Sequence, residues 1–599
     1  MNFNENQLAL LNERYFIEKA NGEKETWEDL SMRVAVAIAK ASHSYNDRNF
    51  EEETKEYYES ILNFDFIPAT PILMNAGTEK QQLFSCFVTQ LQDNLESIYT
   101  ELGLSAKIFS GAGGVGYDFG QLRPEGSKVS GRGISSGALS FMKLYDTSCG
   151  IIKIGSGSRR GAMLAALPVD HPEILDFIKC KQNGKDFKNF NISVVITDEF
   201  MAAVKMDGEY ELKSFKNNPE KKTLKARKVF NAIVNQAWKT GEPGILFLDA
   251  ANKYNPTPKL GKYISSNPCG EVVGIDGSVC CLGHINFATI VTDGKINYNE
   301  LEKRIRIGIR FLDNCIDVNK YPHEKFKKVS LATRTIGLGF AGFADLLVQL
   351  NIRYGSDECF KLINEIGSFF QEISHDESFK IALTRGNYPA FENKTPLRRN
   401  ASTNTIAPTG STAMIADCSY GVEPYFAIAF IKNCMDGKQF VYGNKYFESY
   451  LNTLPFDIKD EILKYAQTYG TLHGIDKMLL PNYIIDTFVT AHDVEPRNRV
   501  KVQAAWQKYI DLSISSTVNL PETATKENVA EIYMLAWEYG CKGITVYRNN
   551  SRSMQVLNIE KVKNTWTCEM CGYIEELSEG INPETTCIKC PKCNHKSCA

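Results

Sequence analysis

No apolar run in this 599-residue chain approaches the roughly 20 residues that a membrane-spanning helix needs, which argues against a helical membrane protein. Charge of either sign is not in excess. The net charge of −3 gives no global attraction to nucleic acid or to an anionic membrane. The opening residues, MNFNENQLALLNERYF, lack a basic region followed by an apolar core, so they do not read as a secretory signal. A cytoplasmic protein is expected, with no membrane and no nucleic-acid partner. No fixed-period repeat and no long low-complexity linker is found along the chain. The chain is too long for one small domain, so several domains or a large α/β barrel remain.

Cysteine is plentiful, with 17 residues. A reducing cytosol makes a structural disulfide network improbable for them. Six crowd into residues 568–598, and most of the rest suit small core positions. Cys568 and Cys571 form one CxxC, while Cys587, Cys590 and Cys593 form CxxCxxC, with Cys598 penultimate. Two CxxC hairpins 15 residues apart fit a four-thiolate structural Zn2+ ribbon. The preferred ligands are Cys568, Cys571, Cys587 and Cys590. A second hairpin of Cys590 and Cys593 fits almost as well, His595 could compete, and a disulfide pair is the alternative to a metal. The preferred set leaves Cys593 and Cys598, either idle or suited to thiol–disulfide exchange with a partner.

Residues 5–62 alternate apolar and charged positions at helical spacing, as in ETWEDLSMRVAVAIAKAS. From about residue 66 to 548, short β-branched runs (FNISVVIT, GILFLD, ASTNTIAP, GITVY) alternate with helical stretches (PEILDFIKCK, KVFNAIVNQAWK). That is α/β patterning around one large core. The last ~35 residues are poor in long apolar residues and cannot build a core alone.

Three short stretches carry chemistry. In SSNPCGEV, Asn267, Cys269 and Glu271 are two apart. On an extended chain they would aim an amide, a thiol and a carboxylate at one spot. SGAGGVGYDFG has the G-x-G-x-x-G spacing at Gly111, Gly113 and Gly116, but a helical pattern precedes it and Ser136 stands where an acid should follow. Those glycines fit a tight turn or a close approach better than a dinucleotide loop. In NTIAPTGSTAMIADC, Thr409, Gly410, Ser411 and Thr412 lead from a β-like run into a helical one, an arrangement open to an anion or to an ordinary helix cap. Arg159 and Arg160, between glycines in IKIGSGSRRGAML, suit a phosphate, a base or plain solvent.

Taken in order, ATPILMNAG at 69–77, FSC at 84–86, NPCGE at 267–271, Cys280 in VCCLGHIN, APTGST and KGITVYRNNSR resemble the catalytic chain of ribonucleotide reductases. NPCGE and the cysteine-rich tail resemble class II, the adenosylcobalamin-dependent enzymes. The resemblance implies a ten-stranded α/β barrel with a central finger loop. It implies an N-terminal helical region over 1–65, a catalytic barrel domain over 66–552, and a flexible tail over 553–599 with zinc-binding and redox cysteines. Cys269 matches the thiyl-radical cysteine, with Asn267 and Glu271 its amide and carboxylate neighbours. Cys86 and Cys280 match the pair that supplies two electrons and ends as a disulfide; Cys281 stands beside Cys280 as the other possible partner. Thr70, Ser85 and the 409–412 loop match substrate contacts. Asp93 matches the start of the effector site, and the loops carrying Arg132 and Arg159 match the segments linking effector to substrate.

The implied activity is reduction of ribonucleotides to deoxyribonucleotides for DNA synthesis, by a monomer or homodimer. The implied partners are the ribonucleotide, a dNTP or ATP specificity effector and a thioredoxin-like reductant. Class I chains pass a radical through two adjacent tyrosines, whereas here Arg548 follows Tyr547 and cannot carry an electron hole. A class III glycyl-radical motif is absent. Too few residues precede ATPIL for an ATP-cone, so no overall dATP switch is expected. The alternatives are a class I-type subunit needing a radical-generating partner, and a non-catalytic nucleotide-sensing zinc-ribbon protein.

Overall fold

The structure is a computed structural model that describes residues 3–129, 133–152, 161–184, 186–215, 222–392, 396–433 and 439–551, with short pieces between 557 and 597. Three capped helices open the chain: α1 (Glu5–Arg14), α2 (Trp27–Ala39) and α3 (Phe50–Leu62). Asn4 and Thr26 close capping boxes at the first two, satisfying N–H groups that a helix start leaves open. The apolar stripe of α2 (Leu30, Val34, Ile38) is fully buried.

Ten strands share one sheet: β1 (Phe66–Pro68), β2 (Cys86–Gln90), β3 (Gly114–Asp118), β4 (Ala162–Pro168), β5 (Phe190–Ile196), β6 (Gly244–Phe247), β7 (Val279–Asn286), β8 (Ile336–Ala341), β9 (Thr517–Leu520) and β10 (Gly543–Arg548). Strands β2 to β6 run parallel in sequence order. β6 meets β10 antiparallel, β10 runs parallel to β9, β7 runs parallel to β8, and β7 meets β2 antiparallel. The ring closes through residues 402–406, bridged to β8 at Leu338–Asn404 and to the approach to β9 at Ile406–Ile514. Counting that segment and leaving out β1, which flanks β7 antiparallel, ten strands enclose the interior in two parallel halves of five joined by two antiparallel seams. Closure pairs each of these ten strands on both sides, and β1 alone is left as an outer edge of this sheet among the described residues.

The glycines of SGAGGVGYDFG have a clear purpose. They run from a helix (Leu95–Ser110) into β3, the reverse of a dinucleotide loop. A Cβ on Gly116 would stand 1.6 Å from the Ser266 carbonyl oxygen, and one on Gly114 would meet Pro268 at 2.9 Å. Both positions are empty so that the 265–274 hairpin can lie against β3 inside the barrel. Among the described residues no helix is long and apolar enough to cross a membrane.

Residues 426–490 and 555–599 cluster as a second unit. It holds a hairpin of Ala429–Asn433 with Gln439–Gly443 and a helix, Phe456–Tyr469, ended by Gly470 in the left-handed conformation. Two further hairpins pair Thr565–Thr567 with Ile574–Glu576 and Ile588–Lys589 with Lys596–Ser597.

Candidate active site

The finger begins as a two-residue ribbon, Ser265–Ser266 with Val273–Gly274, and turns over at 267–272. Asn267 N–H donates to the Val272 carbonyl (2.9 Å), Gly270 N–H donates to the Asn267 carbonyl (3.1 Å), and Gly270 takes φ +87°. The segment is therefore a hairpin tip and not the extended strand that the i, i+2, i+4 spacing suggests. Asn267 and Glu271 still converge, because they face each other across the turn, and Cys269 is left exposed at its tip. Asn267 Oδ1 accepts from the Val272 N–H (3.0 Å), which fixes the amide and aims its Nδ2 outward from the turn.

That Nδ2 donates to Cys86 Sγ at 3.0 Å, and the Cys86 thiol lies 3.8 Å from Glu271 Oε1. Cys280 stands opposite Cys86 in the β7–β2 ladder. Such partners have Cα atoms about 4.5–5.5 Å apart, within the span a disulfide bridges. Cys86, Cys280, Val272 and Leu512 belong to one buried cluster in the barrel interior. Cys281 points the other way, its thiol donating to the Leu312 carbonyl of the helix behind β7 (3.4 Å). Strand alternation thus separates the two adjacent cysteines, leaving Cys280 facing the finger.

Electrostatics follow from dryness. Burial lifts the Glu271 carboxyl from its ordinary 4.5 to about 7, against hydrogen bonds from its own backbone, Asn267 and Cys86 that pull it down. Burial also pushes the Cys86 thiol well up, with Glu271, Cys280 and Cys269 adding and the Asn267 amide opposing. Cys280 is raised well above its usual value by burial, Cys281 and Glu271. Glu271 Oε2 and Ser85 Oγ are buried without a hydrogen-bond partner among the described residues. Such groups are costly to leave unpaired, and water or a polar ligand would satisfy them.

Residues not foreseen from sequence hold the finger. Thr405 Oγ1 (2.7 Å) and Ser513 N–H (2.9 Å) donate to the Glu271 carbonyl, and Asn191 Nδ2 donates to the Pro268 carbonyl (2.9 Å). The hydroxyls in ASTNTIAP were the available signal. The Tyr15 hydroxyl lies 2.9 Å from Thr70 Oγ1. Gly410, Ser411 and Thr412 open a short helix, Gly410–Ile415. Thr409 precedes it with φ +57° and accepts from Gly421 N–H (2.9 Å). Asp93 is paired with Arg123 at 2.7 Å. Arg132 and Arg159 lie outside the described residues, as do Cys568, Cys571, Cys587, Cys590 and Cys598; Cys593 is exposed. Arg548 lies with its guanidinium 4.2 Å over the Trp238 ring and donates to the Trp238 carbonyl (3.0 Å).

Family models agree with this architecture. The model "Ribonucleotide reductase, barrel domain" matches residues 84–398 and 397–547, and "Ribonucleotide reductase, all-alpha domain" matches residues 1–81. A relative from Thermoplasma acidophilum named vitamin B12-dependent ribonucleoside-diphosphate reductase is 40% identical over 540 residues, 89% of this chain and 68% of its own. One of the same name from Mycobacterium tuberculosis is 37% identical over 558 residues, 92% of this chain and 80% of its own. A solved class Id ribonucleotide reductase alpha subunit from Actinobacillus ureae shares the fold with a TM-score of 0.74 at 21% identity, covering 91% of this chain and 97% of that one.

Proposed function

The chain belongs to the ribonucleotide reductase family, and from that premise we propose that it reduces ribonucleoside diphosphates to 2′-deoxyribonucleotides with a cobalamin cofactor, through a thiyl radical on Cys269. The observation that carries this reading is the meeting of Asn267, Glu271 and Cys86 around a finger whose tip is Cys269, with Cys280 in register beside Cys86.

Cys269 is the exposed member of an otherwise buried group, so its sulfur is open to a radical source while its neighbours are dry. Adenosylcobalamin, when bound, supplies the radical equivalent that leaves Cys269 as a thiyl. The thiyl then takes the hydrogen from ribose C3′. Glu271, half ionised near pH 7, accepts the 3′-hydroxyl proton. The 2′-oxygen leaves as water, taking its proton from the Cys86–Cys280 pair. Asn267 Nδ2 hydrogen-bonds the carbonyl that develops at C3′. Cys86 and Cys280 together give the sugar two electrons and the remaining thiol hydrogen, which goes to C2′, the two sulfurs join, Glu271 returns its proton to the 3′-oxygen, and Cys269 returns the hydrogen to C3′. One ribonucleotide and two thiols thus give one deoxyribonucleotide, one water and one disulfide.

In this reading Ser85, Thr70 and the 409–412 turn contact the ribose and phosphates, with backbone N–H groups at the start of the 410–415 helix facing the anion. Asp93, with Arg132 and Arg159, serves a dNTP or ATP effector that tunes substrate choice. A thioredoxin-like protein in the cytoplasm restores the dithiol through tail cysteines. The tail also holds Zn2+. The proposed ligands are Cys568, Cys571, Cys587 and Cys590, with Cys593 and Cys598 left for exchange. The anchorage of Arg548 on Trp238, where a second tyrosine would be needed, supports a radical made without a partner subunit. A non-catalytic nucleotide sensor is not favoured.

The test is reduction of CDP and CTP by the isolated chain with a dithiol, with and without adenosylcobalamin, for the wild type and Cys269→Ser. Turnover only with cobalamin and only with Cys269 is expected. Turnover without cobalamin, or by the serine variant, would remove the mechanism.

A further inference from the structure

Lys542 lies just before β10 and is 4% exposed. Its ammonium donates to three consecutive carbonyls, those of Ile510 (3.4 Å), Asp511 (2.6 Å) and Leu512 (2.6 Å). Three donors therefore meet three acceptors, which is how a buried ammonium is accommodated. The next residue, Ser513, turns its N–H to the Glu271 carbonyl at 2.9 Å. The same strap is pinned from its other side: Asp511 N–H donates to Asn404 Oδ1 (2.7 Å), and Leu512 N–H donates to the Asn404 carbonyl (3.2 Å). Thr405, adjacent to Asn404, supplies the second donor to the Glu271 carbonyl.

We propose that Lys542 is a positioning residue for Glu271, its charge holding strap 510–513 so that Ser513 keeps the Glu271 backbone where the carboxylate reaches the substrate. The inference rests on the reading of Glu271 as the proton acceptor. A shift of about 1 Å in such a group costs on the order of 100-fold in rate. A neutral amine has two N–H bonds for three carbonyls, so the strap loosens when Lys542 loses its proton. Burial lowers the Lys542 ammonium from 10.5 to about 8, with the Asp511 charge opposing. The groups facing it are the Tyr254 ring at 6.0 Å and Asp511, whose carboxylate is held by His375 (3.0 Å) and Arg398 (3.0 Å). Gln507 Nε2 shares the Ile510 (3.1 Å) and Leu512 (3.0 Å) carbonyls.

The experiment is the pH profile of kcat from pH 6 to 9.5 for the full chain with adenosylcobalamin and dithiothreitol, in the wild type, Lys542→Met and Glu271→Gln. The wild type should lose kcat reversibly above about pH 8, following Lys542. Lys542→Met should have kcat lowered about 10- to 100-fold at pH 7.5 with KM nearly unchanged, and should lack the alkaline decline. Wild-type kcat in the methionine variant, or an alkaline decline that survives in it, would overturn the inference. If that variant does not fold, the wild-type profile decides: constant kcat up to pH 9.5 overturns it. An active Glu271→Gln defeats the reading of Glu271 itself. An inactive Glu271→Gln beside an unaffected Lys542→Met defeats only the role of Lys542.

Discussion

Glu271→Gln should make the protein inactive and more stable at once. The carboxyl is buried with one oxygen unpaired, and burial raises it from 4.5 to about 7. A carboxyl raised by folding lends full stability below its unfolded value and loses that stability as pH rises through the folded value. The gap, at about 1.4 kcal/mol per pH unit, amounts to about 3 kcal/mol carried by the native protein at pH 8. Glutamine is nearly isosteric and has no charge to desolvate. The variant should therefore exceed the wild type in stability by up to about 3 kcal/mol at pH 8 and match it at pH 4.5, while kcat falls about 10²–10⁴-fold. Denaturant midpoints at the two pH values, read beside steady-state reduction of CDP, measure both arms. Equal stability gains at pH 4.5 and pH 8 would refute the desolvation argument. A variant that keeps its turnover would refute the role in catalysis. In the wild type, kcat should rise through about pH 7 as Glu271 ionises, and this acid limb should be missing from the residual rate of the variant.

Gly116→Ala should displace the finger, because its Cβ would fall 1.6 Å from the Ser266 carbonyl oxygen; Gly103→Ala, with no atom within 4 Å, should keep full activity, and parallel assays compare them. Cys280→Ser should abolish turnover whereas Cys281→Ser should retain it, since the Cys281 thiol faces the helix behind β7; dithiol-dependent turnover distinguishes them. Tyr15→Phe should raise KM about 3- to 10-fold with little change in kcat, since it removes one hydrogen bond to Thr70.

The α/β class and the N-terminal helices were legible because apolar periodicity and capping residues act locally. The order of strands around the barrel was not, because closure runs through residues 402–406, which form only isolated bridges. NPCGE pointed to a reactive cluster by composition, but its alternating spacing suggested a strand. The cluster instead forms across a turn whose shape depends on Gly270 at φ +87° and on support from Thr405, Ser513 and Asn191, residues far away in sequence. Motif position favoured Cys280 over Cys281, but local physics did not decide: alternation says that they face opposite ways, and only packing against Leu312 says which way is inward.

One physical condition ties the site together. In the proposed mechanism the Cys86–Cys280 pair must stay protonated beside a base that must ionise, because a thiolate has no hydrogen atom to give and no proton for a leaving hydroxide. Burial raises all three groups, yet not to the same effect. Burial and the neighbouring carboxylate move the thiols away from neutrality, whereas the carboxyl is brought to it. The dryness that brings the Glu271 carboxyl to about 7, where the proposed mechanism needs an acceptor, therefore also keeps the neighbouring thiols protonated. Water admitted to the barrel would lower both sets together, leaving a weaker base beside more readily ionised thiols. On this argument the finger glycines and the Glu271 strap matter for excluding solvent as well as for placing atoms.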